Sequence, residues 1–194
     1  NVATANYTIQ KAWSIVTGTV HATEDRYITS ATTENAKQNL NFTQTTKPSM
    51  VYINTGSAFT VTAGSSFDLH VQCSADMKWN HAIAFVDWNH NYSFDDEGEQ
   101  LFKVGEESKG NDEVVDFTRS ISVPASAKVG ATRMRVQFTD AWHKKSEPNH
   151  IHSTEDVIDK GGVYDFVVNV EKAIVNAIEG VSTDKVESVV YTLE

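Results

Sequence analysis

Hydrophobic and polar residues alternate along most of this chain with a period of two rather than the 3.6 residues of a helix. The alternating segments are rich in Val, Ile, Thr and aromatic residues, which is typical of β-strands. Gly, Asn and Ser between them favour turns. The strands that the pattern predicts are Ala12–Val20, Arg26–Ser30, Ser49–Asn54, Ala58–Val61, Ser66–Cys73, His81–Asp87, Val114–Val123, Ala131–Phe138 and Val163–Val170.

The segment Thr32–Gln44 is ambiguous, because residues 34–38 are compatible with one helical turn before alternation resumes at Leu40. Helices linking consecutive strands, which a parallel sheet would require, are absent from the pattern. Many short strands predict an all-β fold, and our first choice is a jelly-roll-like β-sandwich of about ten antiparallel strands. With 194 residues and 40% hydrophobic content, one domain is expected over residues 1–170.

The predicted strand His81–Asp87 leads directly into the most acidic part of the sequence. Apolar residues occupy both of its faces, which predicts a strand inside a sheet. Between Asp87 and Asp116 the chain has ten Asp or Glu residues and two Lys. This local excess of negative charge attracts cations and repels anions.

Oxygen-bearing side chains recur at alternate positions in residues 87–99. Ca²⁺ takes about 6–8 oxygen ligands, and EF-hand loops supply them from roughly positions 1, 3, 5, 7, 9 and 12. Counted from Asp87, the position of the EF-hand glycine is Tyr92, and the last ligand position is Gly98. The sequence predicts a loop that binds Ca²⁺, and the alternative is a solvated acidic hairpin. The predicted ligands are Asp87, Asn89, Asn91, Ser93, Asp95 and Glu99.

Total charge and composition restrict the classes of partner. The net charge of −10 argues against nucleic acid, because phosphate backbones are bound by clusters of Lys and Arg. No apolar run approaches the roughly 18 residues of a membrane span, so no membrane insertion is expected. The single cysteine, Cys73, continues the alternation of Phe67, Leu69 and Val71 and is expected to pack in the core.

Motifs for catalysis are sparse. The sequence has no Gly-x-Ser-x-Gly, no His-Glu-x-x-His and no phosphate-binding loop. A glycosidase needs only two carboxylates at the right separation, so hydrolysis stays open as an alternative. His150 and His152 would share a face of an extended segment, which leaves a zinc site there as an alternative to a solvated loop.

Tryptophans next to predicted loops and strand ends are candidates for ligand contacts. A sugar packs its C–H face on an aromatic ring while polar side chains bind its hydroxyls. The predicted ligand-binding residues are Trp79, Trp142, His143 and His81, whereas Trp88 is expected to pack beneath the acidic loop.

Arg133 and Arg135 point to the same face of the predicted strand Ala131–Phe138. One interpretation is a solvated sheet face. The other is that one of these arginines pairs with an acid of the loop or of the strand Val163–Val170, where Asp165 is the candidate.

Four further segments follow one another in the chain: residues 85–89 with 95–99, Ile121-Ser122-Val123-Pro124, Gly130-Ala131-Thr132-Arg133-Met134-Arg135-Val136, and residues 161–170. In this order they resemble the GEVED domain of secreted bacterial proteins, over about residues 82–170. The name-giving Gly-Glu-Val-Glu-Asp-Tyr is here Gly161-Gly162-Val163-Tyr164-Asp165-Phe166, and the family's Asp-Gly within the loop is Asn91-Tyr92.

The resemblance implies a β-sandwich module of a Bacteroides-like bacterium, exported as part of a larger cell-surface or secreted protein, with no established catalytic activity. We expect a non-catalytic module that binds a glycan or surface polysaccharide beside other domains of its parent. The alternatives are a structural spacer or adhesion domain, and an ancillary domain of a secreted glycoside hydrolase. Residues 171–194 are expected to be a linker, a final strand or the start of a secretion-sorting segment.

Overall fold

A computed structural model describes residues 12, 13, 15, 26–74, 80–105, 114–140 and 161–174, with Asp140 described for its main chain only. These residues form strands and no α-helix, which confirms the all-β prediction. None of them belongs to a helix long and apolar enough to cross a membrane. The nine strands are β1 (Ile28–Glu34), β2 (Asn41–Thr43), β3 (Tyr52–Thr62), β4 (Ser66–Cys73), β5 (Asn80–Val86), β6 (Gln100–Val104), β7 (Asp116–Ser122), β8 (Gly130–Asp140) and β9 (Gly161–Glu171).

The strands form two sheets, one with the order β2-β1-β4-β7 and one with the order β3-β9-β8-β5-β6. Hydrophobic residues of both sheets share one core, so the predicted sandwich is confirmed. A jelly-roll order is not confirmed. The order of strands is instead that of an immunoglobulin-like sandwich, in which β1-β4-β7 correspond to strands A-B-E of one sheet and β9-β8-β5 correspond to strands G-F-C of the other. The pairing of β3 with β9 is parallel, whereas only antiparallel pairs were predicted.

Several strand bounds differ from the sequence prediction for local reasons. In the ambiguous segment Thr32–Gln44, β1 continues to Glu34 and the chain then turns at Asn35, whose φ of 62° is left-handed. The segment therefore holds a turn and β2 instead of a helical turn. Two predicted strands merge into β3, whose register shifts between Asn54 and Ala58. The predicted strand Ala12–Val20 lies mostly outside the described residues.

Alternation along β4 places Phe67, Leu69, Val71 and Cys73 in the core. Cys73 is buried as expected, and burial raises the pKa of its thiol well above the usual range. The core of the sandwich thus follows directly from the period of two in the sequence.

Strand β5 is buried on both faces. Ala82, Ala84 and Val86 point into the main core. Ile83 and Phe85 point to the opposite face, where they pack with Phe94 of the acidic loop and with Trp13. The loop therefore covers part of the outer face of the five-stranded sheet and is anchored to it.

Strand β9 ends at Glu171, and residues 172–174 have no regular structure. The later part of the segment 171–194 lies outside the described residues, so its assignment stays a prediction. The single domain over residues 1–170 stays a prediction in the same way.

Candidate metal centre in the acidic loop

The acidic loop, residues 87–99, connects the neighbouring antiparallel strands β5 and β6 and is fixed at both ends. At its start, the main-chain N–H of Asp87 donates to the carbonyl of Arg133 (3.2 Å), and the Thr132 hydroxyl donates to the carbonyl of Asp87 (2.6 Å). At its end, the N–H of Val86 donates to the carbonyl of Glu99 (2.9 Å). Side chains at the two ends are therefore held at defined positions.

Side-chain oxygens at alternate positions bind main-chain N–H groups further along the loop. The carboxylate of Asp87 is fully buried and accepts from the N–H of Asn91 at Oδ1 (3.1 Å) and of Tyr92 at Oδ2 (2.9 Å). Asn89 Oδ1 also accepts from the N–H of Asn91 (2.9 Å), and Asn91 Oδ1 accepts from the N–H of Ser93 (2.8 Å). The bonds to Asn89 and Asn91 are successive Asx turns, and those to Asp87 close a wider turn, so that the loop winds around its own oxygens.

Two non-glycine residues of the loop adopt the left-handed conformation. His90 has a φ of 58° and Tyr92 a φ of 71°. Tyr92 occupies the position at which an EF-hand loop has its glycine. The sharp turn is therefore made despite the side chain, although a left-handed residue other than Gly costs roughly 1–2 kcal/mol.

Asp96, which the sequence prediction did not include, hydrogen-bonds to two of the predicted ligands. The Nδ2 groups of Asn89 and Asn91 both donate to Asp96 Oδ2, at 2.9 and 2.6 Å. Ser93 and Asp95 bond instead to each other, the hydroxyl of Ser93 donating to Asp95 Oδ2 at 2.8 Å. The linear spacing could not distinguish Asp95 from Asp96, because only the fold of the loop shows which of the two carboxylates points towards Asn89 and Asn91.

Glu99 has the most unusual environment in the loop. Its side chain is 2% exposed, and Oε1 accepts from the N–H of Trp88 (3.0 Å). Oε2 has no hydrogen-bond partner among the residues that the structure describes. Burial, followed by the negative charges of Asp87 and Asp96, raises the pKa of Glu99 from its usual 4.5 to about 7. At neutral pH the loop therefore holds a buried carboxyl group that resists ionisation.

A cleft of about 230 Å³ opens beside this carboxyl group. None of the ion pairs among the described residues involves Asp87, Asp96 or Glu99. Within the described ranges, no three His, Cys, Asp or Glu side chains are grouped closely enough to hold a metal by themselves. A cation here would therefore also need the amide oxygens of the loop. The cleft is lined by Trp88, Asn89, Asp96, Glu97, Glu99, Pro124 and Ser126.

Both arginines of β8 pair with Asp165 of β9, which confirms the ion-pair interpretation. Arg135 and Asp165 are buried and form a bidentate pair, Nε to Oδ1 and Nη2 to Oδ2, both at 2.8 Å. Arg133 Nη1 donates to Asp165 Oδ2 (3.0 Å), and so does the hydroxyl of Tyr52 (2.7 Å). The guanidinium of Arg135 lies 5.2 Å from the centre of the Phe94 ring, so this ion pair also supports the acidic loop.

Trp13 also reaches the acidic loop, across 74 positions of sequence, and its Nε1 donates to Asp87 Oδ2 at 2.9 Å. Nothing in the linear sequence indicated this contact. The contact forms because the fold brings Trp13 into the same hydrophobic cluster as Phe94.

Only one of the four predicted ligand-binding residues lies within the described ranges, so the predicted sugar contact stays a prediction. Trp79, Trp142 and His143 lie outside the described ranges, as do His150 and His152. His81 lies in β5 and is buried, so it presents no face to the solvent. Trp88 is buried in the main core beneath the loop, as expected.

Comparison with known proteins identifies one family. The model of the GEVED domain family matches residues 81–169, which include the acidic loop, both arginines and Asp165. This match confirms the resemblance found in the sequence. No match was found among curated proteins.

Proposed function

We propose that residues 81–169, which match the model of the GEVED domain family, form the greater part of a non-catalytic β-sandwich module whose acidic loop binds one Ca²⁺ ion. The observation that supports this most strongly is the carboxyl group of Glu99: the residue is 2% exposed, and one carboxyl oxygen has no partner within the described part of the chain. Burying a charge without a counter-charge costs several kcal/mol. A divalent cation in the adjoining cleft would compensate the charge of Glu99 and of its acidic neighbours.

The chemistry of the loop suits calcium. Ca²⁺ prefers oxygen ligands and tolerates irregular geometry, whereas Mg²⁺ demands a nearly ideal octahedron and gives up water reluctantly. The loop offers the carboxylates of Asp87, Asp96 and Glu99 and the amide groups of Asn89 and Asn91, and binding would draw the three carboxylates together around the ion. Hydrogen bonds to main-chain N–H groups already fix the side chains of Asp87, Asn89 and Asn91. Because the loop is held at both ends, little conformational entropy would be lost on binding. The proposed ligands are Asp87, Asn89, Asn91, Asp96 and Glu99.

Calcium would stabilise the module by holding the loop on the sheet. Phe94 lies between the proposed ligands Asn91 and Asp96 in sequence and packs on Phe85 with ring centroids 5.9 Å apart. Binding would therefore fix the cover of the outer face of β5. The location we propose for this protein is secreted or at the cell surface, so its Kd for Ca²⁺ should lie in the range of extracellular modules, about 10⁻⁴–10⁻³ M.

Thermal unfolding of the full chain tests the calcium site. After treatment with EGTA, Ca²⁺ at 100 times its Kd should add about 2.7 kcal/mol to the free energy of unfolding. For a domain of this size that corresponds to a rise in Tm of roughly 5–10 °C. Asp96→Asn should reduce the rise, while the control Asp95→Asn, which changes an exposed carboxylate of the same loop that does not line the cleft, should largely keep it. A Tm that does not respond to Ca²⁺ overturns the proposal.

Binding of a glycan or surface polysaccharide is the ligand function we propose for the module as a whole. It is supported by the composition of the segments that contain Trp79, Trp142 and His143, as aromatic and polar residues together suit sugars. A glycan array probed with the full chain and with Trp142→Ala tests it. Binding that the variant loses supports the proposal, and no binding to any glycan favours a structural spacer or adhesion domain.

A further inference from the structure

Asp87 and Arg133 face each other across β5 and β8 without forming an ion pair. The register of the two strands pairs Val86 with Met134, and the next N–H, that of Asp87, donates to the carbonyl of Arg133 at 3.2 Å. Opposite charges directly across an antiparallel pair normally attract. Arg133 nevertheless bonds to Asp165, and the bonds of Asp87 go to the acidic loop and to Trp13.

Trp13 contacts both of these charged residues. Its indole N–H donates to Asp87 Oδ2 at 2.9 Å, and the guanidinium of Arg133 stacks on its ring, 4.4 Å from the centre. Tyr92 of the acidic loop packs on the same indole, with ring centroids 4.6 Å apart. The cation–π contact therefore holds Arg133 on the tryptophan, while the N–H of the same ring binds Asp87.

We propose that Trp13 is a positioning residue of the calcium site. It holds the carboxylate of Asp87 in place and keeps it from forming an ion pair with Arg133, so that a cation can bind to the carboxylate. This inference rests on the calcium site proposed above. A second observation points to a cation independently of Trp13, because Glu99 Oε2 is buried beside the cleft and has no partner in the described ranges. Trp13 lies outside residues 81–169, so its role is not part of the family match.

Two physical effects make up the proposed role. The indole N–H removes rotational freedom from the Asp87 carboxylate, as a charge-assisted hydrogen bond does. The ring also confines the guanidinium of Arg133, whose Nη1 bonds to Asp165. Without Trp13, only the bonds of Nη1 would restrain this guanidinium, and it could turn towards its cross-strand neighbour Asp87. An arginine on Asp87 would neutralise one of the negative charges that the cation needs and would compete with Ca²⁺.

Calorimetric titration of the full chain with Ca²⁺ separates the two effects. Trp13→Phe keeps a ring over Arg133 but removes the N–H, and we expect about tenfold weaker binding. Trp13→Ala removes both, and the affinity should fall further. Adding Arg133→Met to Trp13→Ala should restore the affinity to that of Trp13→Phe, because the competing cation is gone. Arg133→Met alone should bind Ca²⁺ at least as tightly as the wild type.

Each outcome bears on a separate statement. If the wild type binds Ca²⁺ and both Trp13 variants bind equally well, the positioning role is wrong while the calcium site stands. If the wild type does not bind, the proposed function is overturned and this inference with it. If the double variant binds no better than Trp13→Ala, competition by Arg133 is refuted. Should Trp13→Ala fail to fold, as judged by near-ultraviolet circular dichroism in EGTA, Trp13→Phe alone decides whether the N–H matters.

Discussion

Replacing Glu99 by Gln should stabilise the metal-free protein at high pH, although it removes a proposed calcium ligand. Burial and the neighbouring acids raise the pKa of Glu99 from 4.5 to about 7 in the folded protein. Because the folded state has the higher pKa, it binds more protons than the unfolded state between these values. Stability therefore falls as the pH rises through this window and stays low above it.

The size of this loss of stability follows from the rise in the pKa of Glu99. A difference of about 2.5 pH units, at about 1.36 kcal/mol per unit, corresponds to a loss of roughly 3 kcal/mol at pH 8. Glutamine carries no charge, so Glu99→Gln does not suffer this loss. In EGTA, the stability of Glu99→Gln relative to the wild type should increase by about 2–3 kcal/mol between pH 5 and pH 8.

Urea denaturation in EGTA at the two pH values measures this difference. Glu97→Gln is the matched control, because it removes an exposed carboxylate of the same loop, and its stability relative to the wild type should change by less than about 0.5 kcal/mol. Saturating Ca²⁺ should reverse the order, because only the wild type retains the Glu99 carboxylate. If the difference in stability between Glu99→Gln and the wild type does not depend on pH, the pKa of Glu99 is not raised by burial and this reasoning is refuted.

Further predictions concern the sheet that supports the loop. Arg135→Met leaves Asp165 buried without its bidentate partner and should cost about 3–5 kcal/mol in urea denaturation; a loss below 1 kcal/mol would contradict the structure. Gly161→Ala places a Cβ 2.3 Å from a main-chain carbonyl oxygen and should lower the stability by at least 1–3 kcal/mol, more than Gly56→Ala, where only the left-handed φ of 68° costs energy. Equal losses for the two glycines would be inconsistent with that contact. Burial raises the pKa of the Cys73 thiol, so the thiol should react with Ellman's reagent only after unfolding, and rapid reaction of the native protein would contradict its place in the core.

Regular alternation made the sandwich core predictable from the sequence. The bounds of β4 were predicted as the structure has them, because its apolar residues face one core and its polar residues face solvent. Strand β5 was recognised as an inner strand, because it is apolar on both faces. Its position in turn located the acidic loop, since a loop must follow where such a strand ends. Strand β6 was not predicted, because its five residues follow the acidic loop directly and are too few for a clear period.

Contacts that depend on topology could not be predicted from the sequence. The parallel pairing of β3 with β9 joins strands about 110 residues apart, and local pattern contains no information on such partners. Asp96 rather than Asp95 contacts Asn89 and Asn91, and this depends on the path of a loop that turns at the left-handed residues His90 and Tyr92. The linear spacing nevertheless identified side chains that fold back on the loop, because Asp87, Asn89, Asn91 and Glu99 all accept from its main-chain N–H groups. That these side chains bind calcium stays a prediction.

A diffraction experiment tests the central claim most directly. Crystals of the full chain grown with Ca²⁺ should show an anomalous difference peak in the cleft, about 2.3–2.6 Å from carboxylate oxygens of Glu99 and Asp96. Soaking with EGTA should remove the peak. A cleft without a peak at a Ca²⁺ concentration of several millimolar, or a peak held only by exposed side chains elsewhere, would contradict the account.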